Sequence, residues 1–481
     1  MNTFKSALAE QMTVTENGMP ARVSTANICL DLFGVIGASR TSDIKALFSK
    51  AYNEDRDKAL RIAQFARDCR GGLGERKVFL DILNYLEVTS PNDCMLLMNK
   101  IPELGYWKDF LCLKEYITRQ YAFNLIRNAL EREDGLCAKY MPREGMAGYK
   151  TFGHDLRKFL GLSPKNYRKK LKELSATVES QMCAKKWEEI NFEHVPSVAM
   201  ARYKRAFSKH QCERFGEYLG QVKSGEKKIN ASAVFPHDVV KVFGNTYIYG
   251  RNFKMDHLSK EEIAATEAQW NALPNYVGDA SIIPIVDTSS SMNIEISKGT
   301  TAWSVSVALG MYLADKNQSP KFKGCFVSFA DRPRLSYVNG SIVDKYKQVS
   351  NNLTMGSTNL EGTFDEILKV CKSNSVPQEE MPQYVMILSD MQFNQAVAGC
   401  GNTALQSISR QYEEAGYKRP NIIFWNLVAK DNVPVRFDDN GTAFVSGYSP
   451  ALMKTLLKGD LAQFTPLQIM LDSIMIDKYN I

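Results

Sequence analysis

The sequence predicts a chain of two parts, an all-α region followed by an α/β region with a mainly parallel sheet. Before about residue 230, apolar residues recur at the three- and four-residue spacing of amphipathic helices. After residue 280, short apolar runs alternate with helical patterns, which is typical of strands covered by helices on both faces. We therefore predict an α-helical domain over 1–270 and an α/β domain over 271–481.

The first helices of the α-helical domain are separated by glycine or proline, and each is too short to form a core alone. Helices of this length joined by short turns indicate an α-solenoid, in which neighbouring helices bury one another's apolar faces. A further, strongly basic helix is expected in "LSPKNYRKKLKEL", with Ser163 as its N-cap and Pro164 at its first position. The earlier predicted helices are 43–53, 57–69, 77–88 and 92–101.

The α/β domain is predicted from apolar runs that stand between helical patterns. In parallel sheets of this kind, sites form at the carboxyl ends of the strands, where Asp287 and Asp390 are expected. The predicted strands are 281–286, 324–330, 384–390 and 421–428, and the predicted helices lie near 301–315, 360–371 and 403–415.

Composition narrows the class of protein. Hydrophobic residues make up 44% of the chain and charged residues 23%, as in a globular protein, and no run of 18 apolar residues could span a bilayer. The first residues lack the charged-then-apolar pattern of a signal peptide, so a cytoplasmic location without membrane attachment is expected. None of the ten cysteines forms a C-x2-C pair, which argues against structural zinc.

The stretch "DTSSSM" at 287–292 follows a predicted strand and suggests several chemistries. A serine nucleophile is disfavoured because G-x-S-x-G is absent and all five histidines precede residue 258. Walker-type phosphate binding lacks its glycine-rich motif, and an aspartyl nucleophile would favour a second acid where the chain has Ser289. We therefore expect no enzymatic activity, with a hydrolase using the 287–291 loop as the weakest alternative.

A metal site explains the same stretch better. Asp287, Ser289 and Ser291 offer oxygen ligands from one loop, and Thr358 and Asp390 offer more from two later loops. With so few carboxylates, a bound divalent cation would keep residual positive charge and accept an outside carboxylate. The alternative is that these hydroxyls cap the helix near 301–315 or bond loop amides without any metal.

This arrangement resembles the metal-ion-dependent adhesion site of von Willebrand factor A domains, which have a Rossmann-like fold. The resemblance covers roughly 280–480 and rests on D-x-S-x-S, a threonine in a glycine-threonine loop, and an aspartate after a buried strand. It implies Mg²⁺ or Mn²⁺, held directly by Ser289, Ser291 and Thr358 and through water by the two aspartates. The third loop reads "SDM" where many members have "DG".

The whole chain resembles TROVE/Ro-type ribonucleoproteins and, more specifically, the DUF2828-like group. In Ro proteins, HEAT-like helical repeats close into a ring that holds single-stranded RNA ends in its channel and structured RNA on its basic outer face. The resemblance implies the same layout and an RNA partner. It rests on "ARDCRGGLGERKVF" (66–79), "ELGYWKDFL" (103–111), "YRKKL" (167–171), "VPSVAMARYKRAFSKH" (195–210), "KINASAVFPHDVV" (228–240) and "VSGYSP" (445–450).

Charge distribution agrees with an RNA partner. Residues 151–230 contain 17 lysines and arginines against 9 acidic residues, so the net charge of +7 is concentrated there. Cations interleaved with aromatic rings suit RNA bound without strict sequence specificity, although a solvated helix face is the alternative. The candidate RNA-binding residues are Lys165, Tyr167, Arg168, Lys169, Lys170, Arg202, Lys204, Arg205, Lys209 and His210, with Tyr203 among them in sequence.

The leading hypothesis is an RNA-binding ribonucleoprotein component whose Mg²⁺-binding domain recruits a protein partner or closes the ring. Its rival is a metal-dependent protein-interaction adaptor, such as a phage or bacterial assembly factor, that binds no nucleic acid. For "RGGLGER" (70–76) we expect a structural role, in which glycines separate two helices and Arg70, Glu75 and Arg76 form ion pairs.

Overall fold

The computed structural model confirms the predicted order of a helical unit followed by a unit built on a mostly parallel sheet. Among its described residues, the helical unit ends at Asn271 and the sheet begins at Ile282. The described residues are 12–175, 177–231, 234–244, 258–297, 299–329, 333–351, 358–393, 404–430, 433–457 and 464–481.

The helical unit is preceded by a short antiparallel hairpin, β1 (Met12–Val14) and β2 (Pro20–Arg22). The predicted helices all form, with ends that move by a few residues. The helices of this unit are α1 (Ile28–Ile36), α2 (Lys45–Glu54), α3 (Arg56–Arg67), α4 (Arg76–Thr89), α5 (Pro91–Leu104), α6 (Tyr116–Glu131), α7 (Gly135–Tyr140), α8 (Lys150–Phe159), α9 (Pro164–Leu174), α10 (Val178–Cys183), α11 (Ser197–His210), α12 (Cys212–Ser224), α13 (Pro236–Val240) and α14 (Lys260–Asn271).

Side-chain caps fix several of the helix starts. The Asp55 carboxylate accepts a hydrogen bond from the Lys58 amide at 3.0 Å at the start of α3. Ser163 accepts one from the Asn166 amide at 3.2 Å, with Pro164 as the first residue of α9. Both caps satisfy amides that have no partner within the helix, and the second confirms the predicted start of the basic helix.

The sheet unit contains one six-stranded sheet with strand order β10-β9-β8-β3-β6-β7. All its pairs are parallel except β6 with β7, which is antiparallel. Its elements, together with a small hairpin of β4 and β5, are β3 (Ile282–Val286), β4 (Glu295–Ser297), β5 (Thr300–Thr301), α15 (Ala302–Lys316), β6 (Cys325–Ser328), β7 (Arg334–Tyr337), α16 (Ile342–Asn351), α17 (Leu360–Ser373), β8 (Tyr384–Ser389), α18 (Ala404–Glu414), β9 (Asn421–Asn426), β10 (Thr442–Ser446), α19 (Met453–Leu456) and α20 (Pro466–Ile474).

Both faces of the sheet are buried, as the continuous apolar strands predict. In β3, Ile282 and Val286 belong to a hydrophobic core that continues through α15 into the helical unit. Ile283 and Ile285 point to the opposite face and pack with residues of α17 and α18. The helices α11, α12 and α14 form a third, separate cluster.

The sheet unit contacts the helical unit at both ends of the helical succession. Helix α1 packs on β10 and α20, while α13 and α14 pack on α15 and α16. The contact of α1 is close enough to require glycine, because a Cβ at Gly34 would lie 2.1 Å from Cε1 of Phe444. The two ends of the helical unit are therefore joined through the sheet unit.

Charged side chains at this junction are paired, and the carboxylate of each pair is buried. The Arg40 guanidinium bonds both carboxylate oxygens of Glu75 at 2.7 Å and lies 4.4 Å from the ring centroid of Tyr448. Deeper in the helical unit, Asp109 accepts from Arg67 at 2.7 Å and from Arg76 at 2.6 Å. Glu75 and Arg76 of "RGGLGER" thus form ion pairs in a structural role, but with partners outside that stretch, and the Arg70 guanidinium donates instead to the Glu103 carbonyl at 2.6 Å.

Asp68, which follows α3, binds residues close to the C-terminal end of the described chain. Asp68 accepts hydrogen bonds from the amides of Arg70 and Gly71, from the Tyr479 hydroxyl at 2.9 Å and from the Lys478 ammonium. Tyr479 is almost fully buried. This segment therefore fastens the sheet unit to the end of α3, near the start of the helical unit.

No helix among the described residues is both long enough and apolar enough to cross a bilayer.

Removing one member of the Arg40–Glu75 pair should destabilise the junction. We expect Glu75→Ala to lower the free energy of unfolding by about 3 kcal/mol, because it leaves the Arg40 guanidinium, whose side chain is only 19% exposed, without its partner. Asp81→Ala is the matched control, since it breaks an exposed pair with Lys77 and should cost about 0–1 kcal/mol. Equal midpoints of thermal unfolding for the two variants would contradict this account.

His237 should make the junction sensitive to acid. Burial lowers its pKa from 6.5 to about 4, and the charge of Asp238 opposes this shift only partly. Unfolded His237 takes up a proton at a higher pH than folded His237, so its contribution to stability is present above about pH 6.5 and is lost as the pH falls towards 4.

We expect His237→Gln to reduce the loss of stability between pH 7 and pH 4 by about 3 kcal/mol relative to the unchanged chain. The measurement is the midpoint of thermal unfolding against pH for both proteins. Parallel pH profiles would show that His237 does not contribute to this acid sensitivity.

Candidate metal site and basic surfaces

Two buried carboxylates meet at the carboxyl edge of the sheet. Asp287 follows β3 and Asp390 follows β8, and these strands are parallel neighbours with Val286 paired to Leu388. The Asp287 amide donates to the Leu388 carbonyl at 3.1 Å, which extends the pairing to the site. Both aspartates have no exposed surface, as expected from their positions at the ends of buried strands.

Asp287 is held by hydrogen bonds on both carboxylate oxygens. Its Oδ1 accepts from the Ser289 amide at 2.9 Å, and its Oδ2 accepts from the Ser389 hydroxyl at 2.5 Å. Burial and the charge of Asp390 raise the pKa of Asp287 to about 6. Nearby positive charge would relieve this cost of burying two acids together.

Asp390 has one oxygen that is poorly satisfied. Oδ1 accepts from the Gln392 amide at 3.2 Å. Oδ2 is buried and accepts no hydrogen bond from the described residues, although the Lys430 ammonium lies 3.3 Å away as an ion pair. A buried carboxylate oxygen with spare capacity suits a cation or a water bound to a cation.

The residue after Asp390 explains how "SDM" can replace "DG" in this loop. Met391 has a φ of 64°, in the left-handed region that glycine occupies most easily. The Ser389 hydroxyl accepts a hydrogen bond from the Met391 amide at 3.1 Å and so helps to hold the turn. The loop thus takes the backbone conformation expected of a glycine without having one.

Hydroxyl groups from two further loops belong to the same edge. Ser289 and Ser291 have their Oγ atoms 3.0 Å apart. Thr358 is buried and donates to the Gln392 carbonyl at 2.5 Å, which places it beside the Asp390 loop. The preceding residues of the predicted "GSTNL" loop, 356 and 357, lie outside the described residues.

The helix-cap alternative for "DTSSSM" is wrong. Helix α15 is capped by Thr301, whose Oγ1 accepts from the Ser304 amide at 3.1 Å. The hydroxyls of Ser289 and Ser291 are therefore not used to start that helix. Two buried acids, one with an unsatisfied oxygen, and neighbouring hydroxyls are a donor set that fits a hard divalent cation.

The predicted RNA-binding residues lie on two helices that pack in different clusters. Tyr167 and Leu171 fix α9 in the main core, whereas Met200 and Phe207 fix α11 in the separate third cluster. Lys170 is partly exposed, and His210 is exposed with its ring 4.2 Å from that of Trp187. The other exposed candidates are Lys165, Arg168 and Lys169 on α9, and Arg202, Arg205 and Lys209 on α11.

The prediction of RNA binding is wrong for two residues, because their side chains are buried. Tyr167 is completely buried and donates to the Pro142 carbonyl at 3.0 Å, so its ring cannot stack on a base. Lys204 is buried and donates to the Val239 carbonyl at 3.1 Å and to Thr266 Oγ1 at 2.8 Å. Burial lowers the pKa of Lys204 to about 8, and both side chains serve packing.

A basic groove beside α9 was not predicted. It has a volume of about 490 Å³ and is open to solvent. Lys139, Arg143 and Arg168 contribute three cationic side chains to its lining, and Met141 and Met146 contribute apolar surface. Arg168 is thus the one predicted RNA-binding residue in this groove.

Comparisons with known proteins give the family. The protein-family model described as "Domain of unknown function (DUF2828)" matches residues 15–134 and 150–281, which is more than half of the chain. The chain belongs to the DUF2828 family. A second model, described as "Domain of unknown function (DUF7788)", matches residues 281–470.

This DUF2828 protein is similar over nearly its whole length to a viral protein and to a solved structure. "Uncharacterized protein L728" of Acanthamoeba polyphaga mimivirus is 27% identical over 517 residues, covering 96% of this chain and 86% of the viral protein. The crystal structure of the Ro (RSR) protein of Deinococcus radiodurans matches with a TM-score of 0.50 at 14% identity, covering 94% of this chain and 100% of that one. The DUF2828 chain therefore has a TROVE/Ro-like fold.

Three of the six sequence stretches that carry the family resemblance meet at the junction of the two units. Glu75, His237 and Tyr448 come from three of those stretches, and all are buried beside Arg40 or its partners. In this DUF2828 protein, these three stretches supply contacts that join the two units. Their contacts identify no ligand.

Sequence reasoning missed the N-terminal hairpin of this DUF2828 protein, which lies on the candidate metal site. Asn17 Nδ2 is 2.8 Å from the Gln392 carbonyl oxygen and 3.4 Å from Thr358 Oγ1. A signal was present, because Asn17-Gly18 is a common hairpin turn and Gly18 has a φ of 86°. The position of Lys430 beside Asp390 was also missed, because Lys430 follows β9 and its neighbours in space are distant in sequence.

Proposed function

We propose that this DUF2828 protein is an RNA-binding ribonucleoprotein component whose sheet unit holds a divalent cation, Mg²⁺ or Mn²⁺. The observation that carries the RNA part is the set of exposed cations on α9 and α11, set on a Ro-like fold. The local basic excess supplies the phosphate attraction that sequence-independent RNA binding needs. Single-stranded ends or small structured RNAs are the proposed ligands.

The groove beside α9 is the most defined place for RNA in this proposal. Arg143 and Arg168 both line the groove and are exposed, so both guanidinium groups can meet phosphate oxygens. Lys139 is partly engaged by Glu179 at 3.2 Å and contributes less free charge. Met146, which is exposed, adds apolar surface that can cover part of an unstacked base.

The metal part of the proposal rests on the buried acid pair and its hydroxyl neighbours. Ser289, Ser291 and Thr358 would hold the cation directly, and Asp287 and Asp390 would hold it directly or through water. A cation bound there supplies a positive charge that an acidic group can approach. In this proposal the sheet unit has a binding role and no catalytic one. It either binds the carboxylate of a partner protein or joins the ends of the helical unit.

Reversing charge beside the groove should weaken RNA binding. We expect Arg168→Glu combined with Lys169→Glu to raise the Kd for a fluorescent 20-nucleotide single-stranded RNA by about tenfold or more at 100 mM salt. The salt dependence should also fall, by about 1.4 in the slope of log K against log salt if two phosphate contacts are lost.

The matched control for RNA binding is Lys369→Glu combined with Lys372→Glu, which changes the net charge equally on the exposed face of α17. It should alter the Kd by less than about twofold, because charges well away from the bound strand are screened. Absence of binding at 50 mM salt would refute the RNA proposal and favour the adaptor that binds no nucleic acid. An equal loss in both double variants would show only a nonspecific effect of net charge.

Metal binding should depend on the acid pair and not on the middle serine. We expect Asp390→Asn to weaken Mn²⁺ binding on the order of 100-fold or more, since even the outer partners of metal ligands contribute about 10–100-fold. Ser290→Ala should leave the affinity unchanged, because Ser290 is the exposed hydroxyl between the two proposed ligands. Calorimetry with Mn²⁺ on the full chain measures both, and equal affinities in the two variants would remove the proposed ligand set.

A further inference from the structure

The N-terminal hairpin is attached to the sheet unit at the edge that carries the acid pair. The amide of Arg22 donates to the Val433 carbonyl at 3.0 Å, and the amide of Val433 donates to the Arg22 carbonyl at 2.9 Å. Met19 packs into the hydrophobic cluster on that side of the sheet. The hairpin therefore has both backbone pairing and a buried anchor.

The turn of the hairpin is fixed on the loop that contains Asp390. The Thr15 hydroxyl donates to the Phe393 carbonyl at 2.5 Å, and the Glu16 amide donates to Oε1 of Gln392 at 2.7 Å. Asn17 completes the contact through its bond to the Gln392 carbonyl at 2.8 Å. Three consecutive residues thus bind the loop, and the Glu16 side chain is held beside the acid pair.

One ammonium group joins Glu16 to the acid pair. Lys430 Nζ is 2.9 Å from Oε1 of Glu16 and 3.3 Å from Oδ2 of Asp390. Oδ2 is the buried oxygen that accepts no hydrogen bond from the described residues. Lys430 therefore supplies, from within the chain, positive charge at the place proposed for a cation.

A divalent cation bound to Asp390 would repel this ammonium. Like charges a few ångströms apart are strongly unfavourable where water is partly excluded. If Lys430 moves away, Glu16 loses its partner while its backbone stays fixed on the loop. The Glu16 side chain is 64% exposed, so it has room to change rotamer, and the added positive charge would attract its carboxylate.

We propose that Glu16 is the internal acidic ligand of the cation site, so that the N-terminal hairpin closes the site when the cation binds. This inference rests on the proposed metal function. Asp390 is shared by two states, one paired with Lys430 and one bound to the cation. The acidic group that completes the site then comes from the same chain, and an acidic partner has to displace the hairpin before it can bind.

The inference predicts opposite effects at Glu16 and Lys430. Glu16→Gln should weaken Mn²⁺ binding by about tenfold, because a neutral amide is a poorer ligand than a carboxylate. Lys430→Gln should strengthen it several-fold, since the competing charge is gone; the size of the gain depends on the screening of Lys430. Glu413→Gln on α18, an exposed glutamate on another element, is the matched control and should leave the affinity unchanged.

A second measurement follows the hairpin itself. Saturating Mn²⁺ should slow amide hydrogen exchange over residues 12–22 in the unchanged full chain, and this protection should be lost in Glu16→Gln. The exchange measurement separates a direct ligand from a residue that only changes the local charge. Both variants keep the hairpin's backbone contacts, so loss of fold is not the expected cause.

The outcomes separate this inference from the proposal on which it depends. If the unchanged chain binds no Mn²⁺, the proposed metal function fails. If it binds Mn²⁺ and Glu16→Gln binds it equally well, the metal function stands and the internal-ligand inference is overturned. Faster exchange of the hairpin on adding Mn²⁺ would also overturn it, because the cation would then release the hairpin.

Discussion

The architecture depends on buried charges being paired where the helical and sheet units meet. An arginine and a glutamate shielded from water are costly unless each satisfies the other, and Arg40 and Glu75 do so with two bonds of 2.7 Å. Both residues belong to the helical unit, and the paired Arg40 reaches the sheet unit by lying 4.4 Å from the ring centroid of Tyr448, just after β10. Beside this contact β10 packs on α1, and the acid pair follows two strands of the same sheet.

The sequence predicted the elements whose signal is local. Apolar runs predicted the main parallel strands, and Ser163 with Pro164 predicted the start of the basic helix. The N-terminal hairpin, β4, β5, β7 and β10 were missed, because these short strands lack the longer apolar runs that marked the predicted strands and depend more on their partners. The D-x-S-x-S loop, Thr358 and Asp390 were chosen from sequence as candidate ligands, whereas Lys430 and Glu16 come near Asp390 only through the fold.

Two errors in the basic region have a physical explanation that was readable in the sequence. Tyr167 stands four residues before Leu171, so it shares the apolar stripe of α9. Lys204 stands four residues after Met200 and three before Phe207, within the stripe of α11. Counting cations and aromatic rings in a stretch overestimates its surface, since some of them occupy core positions. The remaining exposed cations still carry the local excess of positive charge.

The anchor at Asp68 has a consequence for how the chain is made. Its partners Lys478 and Tyr479 follow it by about four hundred positions, with Tyr479 411 residues later. As a ribosome synthesises the protein from the N-terminus, α3 emerges long before the groups that neutralise and cover its C-terminal end. During that interval Asp68 remains hydrated and its surroundings incompletely packed. The start of the helical unit therefore reaches its final form only after the sheet unit has been translated.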